Sequence, residues 1–249
     1  MELIPNQEIC TIADRLKNFG NVDKAEGASD KLFDEETRYH AVLSLSKSTT
    51  GSDRKFMKIV LPHAIHQAES TICIICADDM KKPLKELLTS HPELNVVKII
   101  KIGKFKTNYQ TFAARRTLAG LYDIFIADTS VFLSLFRTLG KPFFNANKFP
   151  FTISMKGANG KLRKTALPAN IAEIRSSALF KVPRNATTID TVIATSMNST
   201  EQIAENLSKF VESAQKLLPL NAQLISSVYL KTDKSPAVPV SITKKKEDN

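Results

Sequence analysis

A chain of 249 residues, 43% of them hydrophobic, is long enough to bury one large core or two modest ones and too apolar to be disordered throughout. Its 35 Lys and Arg against 25 Asp and Glu give a net charge of +10, which favours polyanionic partners. No window reaches the roughly 18 apolar residues of a membrane span, the opening MELIPNQEIC lacks the basic-then-apolar order of a secretory signal, and the absence of Trp argues against a stacking-rich carbohydrate site.

In chain order, residues 7–19 place Ile9, Ile12, Ala13 and Leu16 at helical spacing, with Gly20 as a stop. Residues 20–31 are polar and loop-like. Tyr39, Ala41, Leu43 and Leu45 alternate as a strand, Ser46 to Arg54 is a turn, and Phe56 to Leu61 is a second strand, which together predict a hairpin closed by Pro62. From Ser70 the pattern changes. The continuous apolar run Thr71–Ala77 reads as a strand covered on both faces. A helix at 80–90, a strand at 96–102, a helix at 109–121, a strand at 122–127 and a helix at 130–139 follow. Strands and helices alternating in this way predict βαβ units and a small parallel sheet.

Pro142 to Pro150 reads as a return linker, followed by a short strand at 151–155 and a glycine-containing basic turn, KGANGKLRK, at 156–164. A helix is predicted at 167–179 and a β-branched strand at 187–194. Ser199-Thr200-Glu201-Gln202 is a capping box that opens a helix running to Leu218. The last strand, Val228, Leu230 and Thr232 alternating with Tyr229 and Lys231, ends in a polar turn at Asp233–Pro236. So late a strand needs partners, and the best candidates are Tyr39–Leu45 and Phe56–Leu61. The expected fold class is therefore two-domain α/β: a discontinuous α+β domain from residues 1–66 and 151–243, a Rossmann-like three-layer insert at 67–150, and a charged tail at 244–249.

The charge is regional. Residues 67–150 carry 12 cations against 7 carboxylates and residues 151–186 carry 7 against 1, whereas 1–66 carry 9 against 10 and 187–249 carry 7 against 7. A basic excess confined to the middle points to a polyanion-binding face. Lys156, Lys161, Arg163 and Lys164 lie on a turn whose glycines let backbone approach a phosphate. Lys98, Lys101, Lys104, Lys106, Arg115 and Arg116 form a second basic group, and together these suggest RNA, which is met through phosphates, hydroxyls and shape.

Other chemistry is poorly supplied. After the strand at 71–77 comes Asp78-Asp79-Met80-Lys81, with no glycine for close approach and two carboxylates that would repel a phosphate. No P-loop occurs, so no nucleotide cofactor is expected. Cys73-Ile74-Ile75-Cys76 has redox or metal spacing but sits within an apolar strand, where residues three apart face opposite sides. His40, His63, His66 and His91 show no metal spacing and read as surface or cap histidines. No catalytic set emerges. The glycosylation patterns at Asn185, Asn198 and Asn206 are expected to be chance matches.

The order of these elements resembles the ribosomal L-one family, the large-subunit stalk proteins. LFDEET before the first strand, MKIVLPH leaving the first domain, YDIFIADTS in the insert, and STEQIAENLSKFVES before SSVYLKT carry the likeness across most of residues 30–240. Where the stalk protein usually has Thr-Met-Gly-Pro-Ser, this chain has Thr232-Asp233-Lys234-Ser235-Pro236. LKTDKSPAVPV and FFNANKFPFTISM instead look like the nucleolar, ribosome-biogenesis branch of the family. The resemblance implies that Phe33, Thr37, Thr232 and Ser235, with Lys31 and Lys234 beside them, line an RNA surface of the first domain. It implies a non-catalytic protein of the nucleus and nucleolus. Its partners would be precursor ribosomal RNA, pre-ribosomal assembly factors and ribosomal proteins, with no membrane and no small-molecule substrate. The alternatives are a stalk protein acting in translation and, more remotely, a Rossmann-type nucleotide enzyme.

Overall fold

The computed structural model describes residues 6–25, 37–46, 48, 55–157, 162–182, 187–218 and 225–242. Its elements begin with α1 (Asn6–Ala25), β1 (Arg38–Leu45), β2 (Lys55–Val60), β3 (Ile72–Cys76) and α2 (Lys81–Thr89), then a 3-10 turn at Pro92–Leu94. They continue with β4 (Val96–Lys101), α3 (Ile102–Asn108), α4 (Phe112–Leu121), β5 (Ile124–Asp128), α5 (Thr129–Leu139), α6 (Lys141–Asn145) and β6 (Phe151–Ile153). The last are α7 (Ala166–Arg175), β7 (Ser177–Val182), β8 (Thr188–Thr195), α8 (Thr200–Leu217), β9 (Ile225–Thr232) and β10 (Val238–Ile242). Contacts divide the chain into two compact units, Met1–Ile65 with Ser176–Asn249, and His66–Arg175.

The first unit is built on an antiparallel sheet of order β10-β9-β1-β8. Strand β9 pairs with β1, Tyr39 opposite Thr232 and Leu43 opposite Val228, so the late strand does sit beside the early one. Alternation along β1 turns Tyr39, Ala41, Leu43 and Leu45 into the core. There they meet the buried stripe of α8, Ile203, Leu207, Phe210, Val211 and Ala214, and Ile9, Ala13 and Leu16 of α1. Removing apolar surface from water in this way is the main favourable term in folding the unit. The α8 start is a complete capping box: Ser199 Oγ accepts from Gln202 N at 3.2 Å, and Ser199 N donates to Gln202 Oε1 at 3.0 Å. Asn206 is fully buried and its amide donates to the Ile193 carbonyl at 3.0 Å. Asn198 is buried too and accepts from Thr195 N at 3.0 Å, so neither of these two glycosylation patterns is presented to solvent.

The expected hairpin of the first two strands does not form. Strand β2 pairs instead with β7, antiparallel from Lys55–Val182 to Val60–Ser177, in a separate two-stranded sheet. A short apolar strand carries no mark of its partner, and the partner here is more than a hundred residues away.

The second unit holds a parallel sheet of order β4-β3-β5-β6. All five residues of β3 and all five of β5 are buried, as a strand covered on both faces requires. One face carries Phe105, Leu118, Leu135, Leu139 and Phe143 of α3 to α6, packed on Cys73, Ile75, Phe125 and Ala127. Cys73 and Cys76 are buried, and burial pushes their thiols up to about 12 and about 11 respectively, which leaves them inert. This unit extends further than the sequence suggested. Phe151 pairs with Ile126 and Ile153 with Asp128, so β6 is the fourth strand of the parallel sheet. Leu167, Ile171 and Ile174 of α7 are buried, and Arg175 Nη2 donates to the Leu94 carbonyl at 3.0 Å. The chain therefore passes back at Ser176, not at residue 151. Among the described residues, no helix is long and apolar enough to cross a membrane.

Candidate nucleic-acid interface

In the first unit the candidate surface is the turn that follows β9. Thr232 N donates to Ser235 Oγ at 2.8 Å, and Ser235 N donates back to Thr232 Oγ1 at 3.1 Å. These reciprocal bonds close the turn without the glycine that the stalk proteins use. Thr232 is buried, so its hydroxyl shapes the turn, while Lys234 is exposed and Ser235 half-exposed. Thr37, at the start of β1, offers its carbonyl to Ser196 N at 2.8 Å. Phe33 and Lys31 lie outside the described residues.

Beneath the turn is a charged chain that the sequence reading missed. His40 Nε2 stands 2.8 Å from Asp233 Oδ1, and His40 Nδ1 stands 2.8 Å from Asp190 Oδ1 on β8. Asp190 Oδ2 accepts from Lys231 Nζ at 2.6 Å, and Asp233 Oδ2 accepts from Arg38 N at 3.3 Å. A neutral imidazole has one donor, so satisfying both carboxylates requires the imidazolium. Burial alone would favour the neutral ring, but the hydrogen bonds and charges of Asp190 and Asp233 outweigh it and raise the His40 pKa. Burial likewise opposes ionisation of Asp190, yet His40 and Lys231 hold its carboxyl below the usual range. His40 is thus a buried clamp between β1, β8 and the turn, not a surface histidine. The linear signal was slight: one of three polar residues on β1, whose partners lie 150 and 193 residues away. His63 and His91 do sit on the surface, 2.6 Å from Glu205 and 2.8 Å from Glu93.

In the second unit the basic turn is closed by a bridge between Lys156 and Leu162, and Arg163 N donates to the Met155 carbonyl at 3.0 Å. Arg163 and Lys164 are exposed just before α7, and Lys161 lies outside the described residues. Lys156 is already engaged: its Nζ donates to Asp79 Oδ2 at 2.8 Å, which raises its own pKa and lowers that of Asp79. Asp79 and Asp78 follow β3, and buried Asp128 ends β5, accepting from Met155 N at 3.1 Å. A doubly wound sheet binds nucleotides in the crevice at these strand ends. Here a Cβ added to Gly103 would lie 3.1 Å from the Asp78 carboxylate. Carboxylates where phosphates would rest make this crevice a poor nucleotide site. Among the described residues, no three His, Cys, Asp or Glu side chains come together as a metal site.

The candidate residues therefore fall into two groups, Thr37, Thr232, Lys234 and Ser235 in the first unit and Lys156, Arg163 and Lys164 in the second. Against known proteins, the sequence pattern of the Ribosomal protein L1p/L10e family matches residues 24–236. The chain is 25% identical over 190 residues to the ribosomal L1 domain-containing protein 1 of Mus musculus, covering 74% of this chain and 40% of that protein. It is 27% identical over 247 residues to a putative ribosome biogenesis protein of Schizosaccharomyces pombe, covering 95% of this chain and 64% of that protein. A third relative is the proteasome-interacting protein CIC1 of Saccharomyces cerevisiae, 26% identical over 213 residues, covering 78% of this chain and 55% of that protein. The chain thus spans between two fifths and two thirds of the length of these relatives.

Proposed function

This chain belongs to the Ribosomal protein L1p/L10e family, and from that premise we propose that it is a non-catalytic ribosome-biogenesis factor that binds precursor ribosomal RNA in the nucleolus. Its two units correspond, in this reading, to a discontinuous first domain and the second domain inserted into it. The observation that carries the proposal is the turn Thr232–Pro236, held by Thr232, Ser235 and the His40 clamp in a form that dispenses with the stalk proteins' glycine. A turn fixed before binding loses little conformational freedom on meeting RNA. Thr37, Lys234 and Ser235, together with Lys31 and Phe33, supply contacts in the first domain. Arg163, Lys164 and Lys161 hold phosphates in the second. Two of the relatives carry ribosome-biogenesis or ribosomal L1-domain names, which favours assembly over a part in translation. Pre-ribosomal proteins are the expected neighbours.

Sedimentation of cell extract tests this reading. An assembly factor travels with precursor particles and is absent from translating ribosomes. Persistence on polysomes would make the chain a stalk protein instead.

A further inference from the structure

Between Val96 and Tyr122 the chain carries six cations, Lys98, Lys101, Lys104, Lys106, Arg115 and Arg116, and no carboxylate. These residues form the edge strand β4 and the two helices after it, α3 and α4. Their junction is organised by Tyr109. Its ring packs on the buried ring of Phe105 with centroids 5.5 Å apart, Lys98 Nζ reaches its hydroxyl at 3.4 Å, and Arg115 Nε donates to its carbonyl at 2.7 Å. Arg115 is an anchor, since its guanidinium also fills the space beside Gly140. Two exposed positions on α4 are different in kind. Phe112 opens α4 and is 56% accessible, and no other phenylalanine whose side chain is described is as exposed. Arg116, one helical turn further and also exposed, stands on the same side of α4. Lys104 and Lys106 on α3 are exposed as well.

Among the aromatic rings whose burial is described, Phe112 alone is exposed, and exposed cations stand on the same two helices. A stretch with six cations and no carboxylate of its own suits a polyanion. An aromatic face among them suits an unstacked base, because every base offers a π-face and duplex RNA hides its bases. We propose that Lys98, Lys104, Lys106, Tyr109, Phe112 and Arg116 form a second RNA-contact surface, which takes a single-stranded segment with its phosphates on the cations and a base on Phe112. This rests on the reading of the chain as an RNA-binding assembly factor and adds to it a site and the strand state that the site selects.

The test is fluorescence anisotropy of the whole chain with a labelled uridine 12-mer, an RNA hairpin and a poly-glutamate peptide, across a salt series. The 12-mer should bind more tightly than poly-glutamate. Phe112→Ala should weaken 12-mer binding about 5- to 150-fold, the effect of losing one stacked base, with an unchanged salt slope. Phe112→Tyr should restore it. Lys104→Ala, Lys106→Ala and Arg116→Ala combined should flatten the slope of log K against log salt by about 2, at roughly 0.7 per lost phosphate contact. All these side chains are exposed, so melting temperatures should not move. If wild type binds RNA and both variants bind the 12-mer equally well, this surface is excluded while the assembly reading stands. Equal binding of poly-glutamate would make the partner an acidic protein and overturn the proposal. Failure of wild type to bind any RNA would overturn both.

Discussion

The two units bury apolar strands by opposite means. The first is assembled from both ends of the chain around antiparallel strands and is almost neutral, 18 Lys and Arg against 17 Asp and Glu. The second is one continuous stretch around parallel strands and carries 17 against 8. Their polar chemistry differs accordingly. In the first unit charges are paired with one another and fix a turn, through Lys231, Asp190, His40 and Asp233. In the second they are displayed outward, on the basic turn and along α3 and α4. Fixed groups can discriminate among RNA shapes, and displayed cations supply affinity that depends on salt. On the proposed reading this amounts to a division of labour, in which the first unit would select RNA and the second would hold it.

The sharpest way to break that contrast is to damage one core at a time. Phe210 is fully buried in the first unit against Phe180, centroids 5.8 Å apart, and Phe125 is buried in the second against Phe143 at 5.0 Å. Phe210→Ala and Phe125→Ala should each cost about 3–5 kcal/mol. Hydrogen exchange should show the loss of protection concentrated in the damaged unit. Equal loss in both would mean that there is one core, not two.

His40 offers the next largest effect. Its folded pKa is raised, so the stability it contributes is fully present below the ordinary histidine value of about 6.5 and is lost as pH rises through the folded value. Asp190, whose folded pKa is lowered, contributes stability that is present above the ordinary aspartate value and lost as pH falls through the depressed one. His40→Gln should therefore cost about 1.5–3 kcal/mol near pH 6, the scale of a charge-assisted hydrogen bond, and less as pH rises through the folded value. Urea midpoints read this directly. A cost independent of pH would remove the imidazolium from the account.

Smaller effects separate affinity from selection. Replacing Lys161, Arg163 and Lys164 by Ala should flatten the salt dependence of RNA binding by about 2 to 3 in slope, at roughly 0.7–0.9 per contact. Ser235→Ala should instead reduce the preference for precursor over unrelated RNA with the slope unchanged. An unchanged slope in the triple variant would take the basic turn out of the interface. Lys156→Ala should be the quietest, altering neither melting nor salt slope, because its ammonium is already held by Asp79 on the surface.

How far the sequence could be read follows the range of the interactions. Alternation in Tyr39–Leu45 and Val228–Thr232 exposed two half-buried strands, and the late one could be assigned to an early partner, but only the folded sheet chooses Tyr39–Leu45 over Phe56–Leu61. The capping box at Ser199 and the covered strands β3 and β5 were legible because their signals are local. Strand β6 was legible as a strand but not in its sheet, since three residues carry no mark of a partner and the prolines at 142 and 150 resemble the punctuation of a linker. Only its register on β5 assigns it to the second unit. His40 was illegible for a different reason. The alternation placed it correctly on β1, on the face away from the core, but only the folded sheet brings Asp190 and Asp233 to its two nitrogens. The basic turn was half legible. Its charges could be counted, whereas the bond that already occupies Lys156 depends on Asp79, across the sheet end.

Cross-linking the protein to RNA in cells and sequencing the bound fragments tests the central claim most directly. The account predicts fragments from ribosomal precursor RNA that include segments removed before the subunit matures, with cross-linked peptides at the turn after β9 and on the basic face of the second unit. Fragments drawn from mature ribosomal RNA alone, or no enrichment of ribosomal RNA at all, would contradict it.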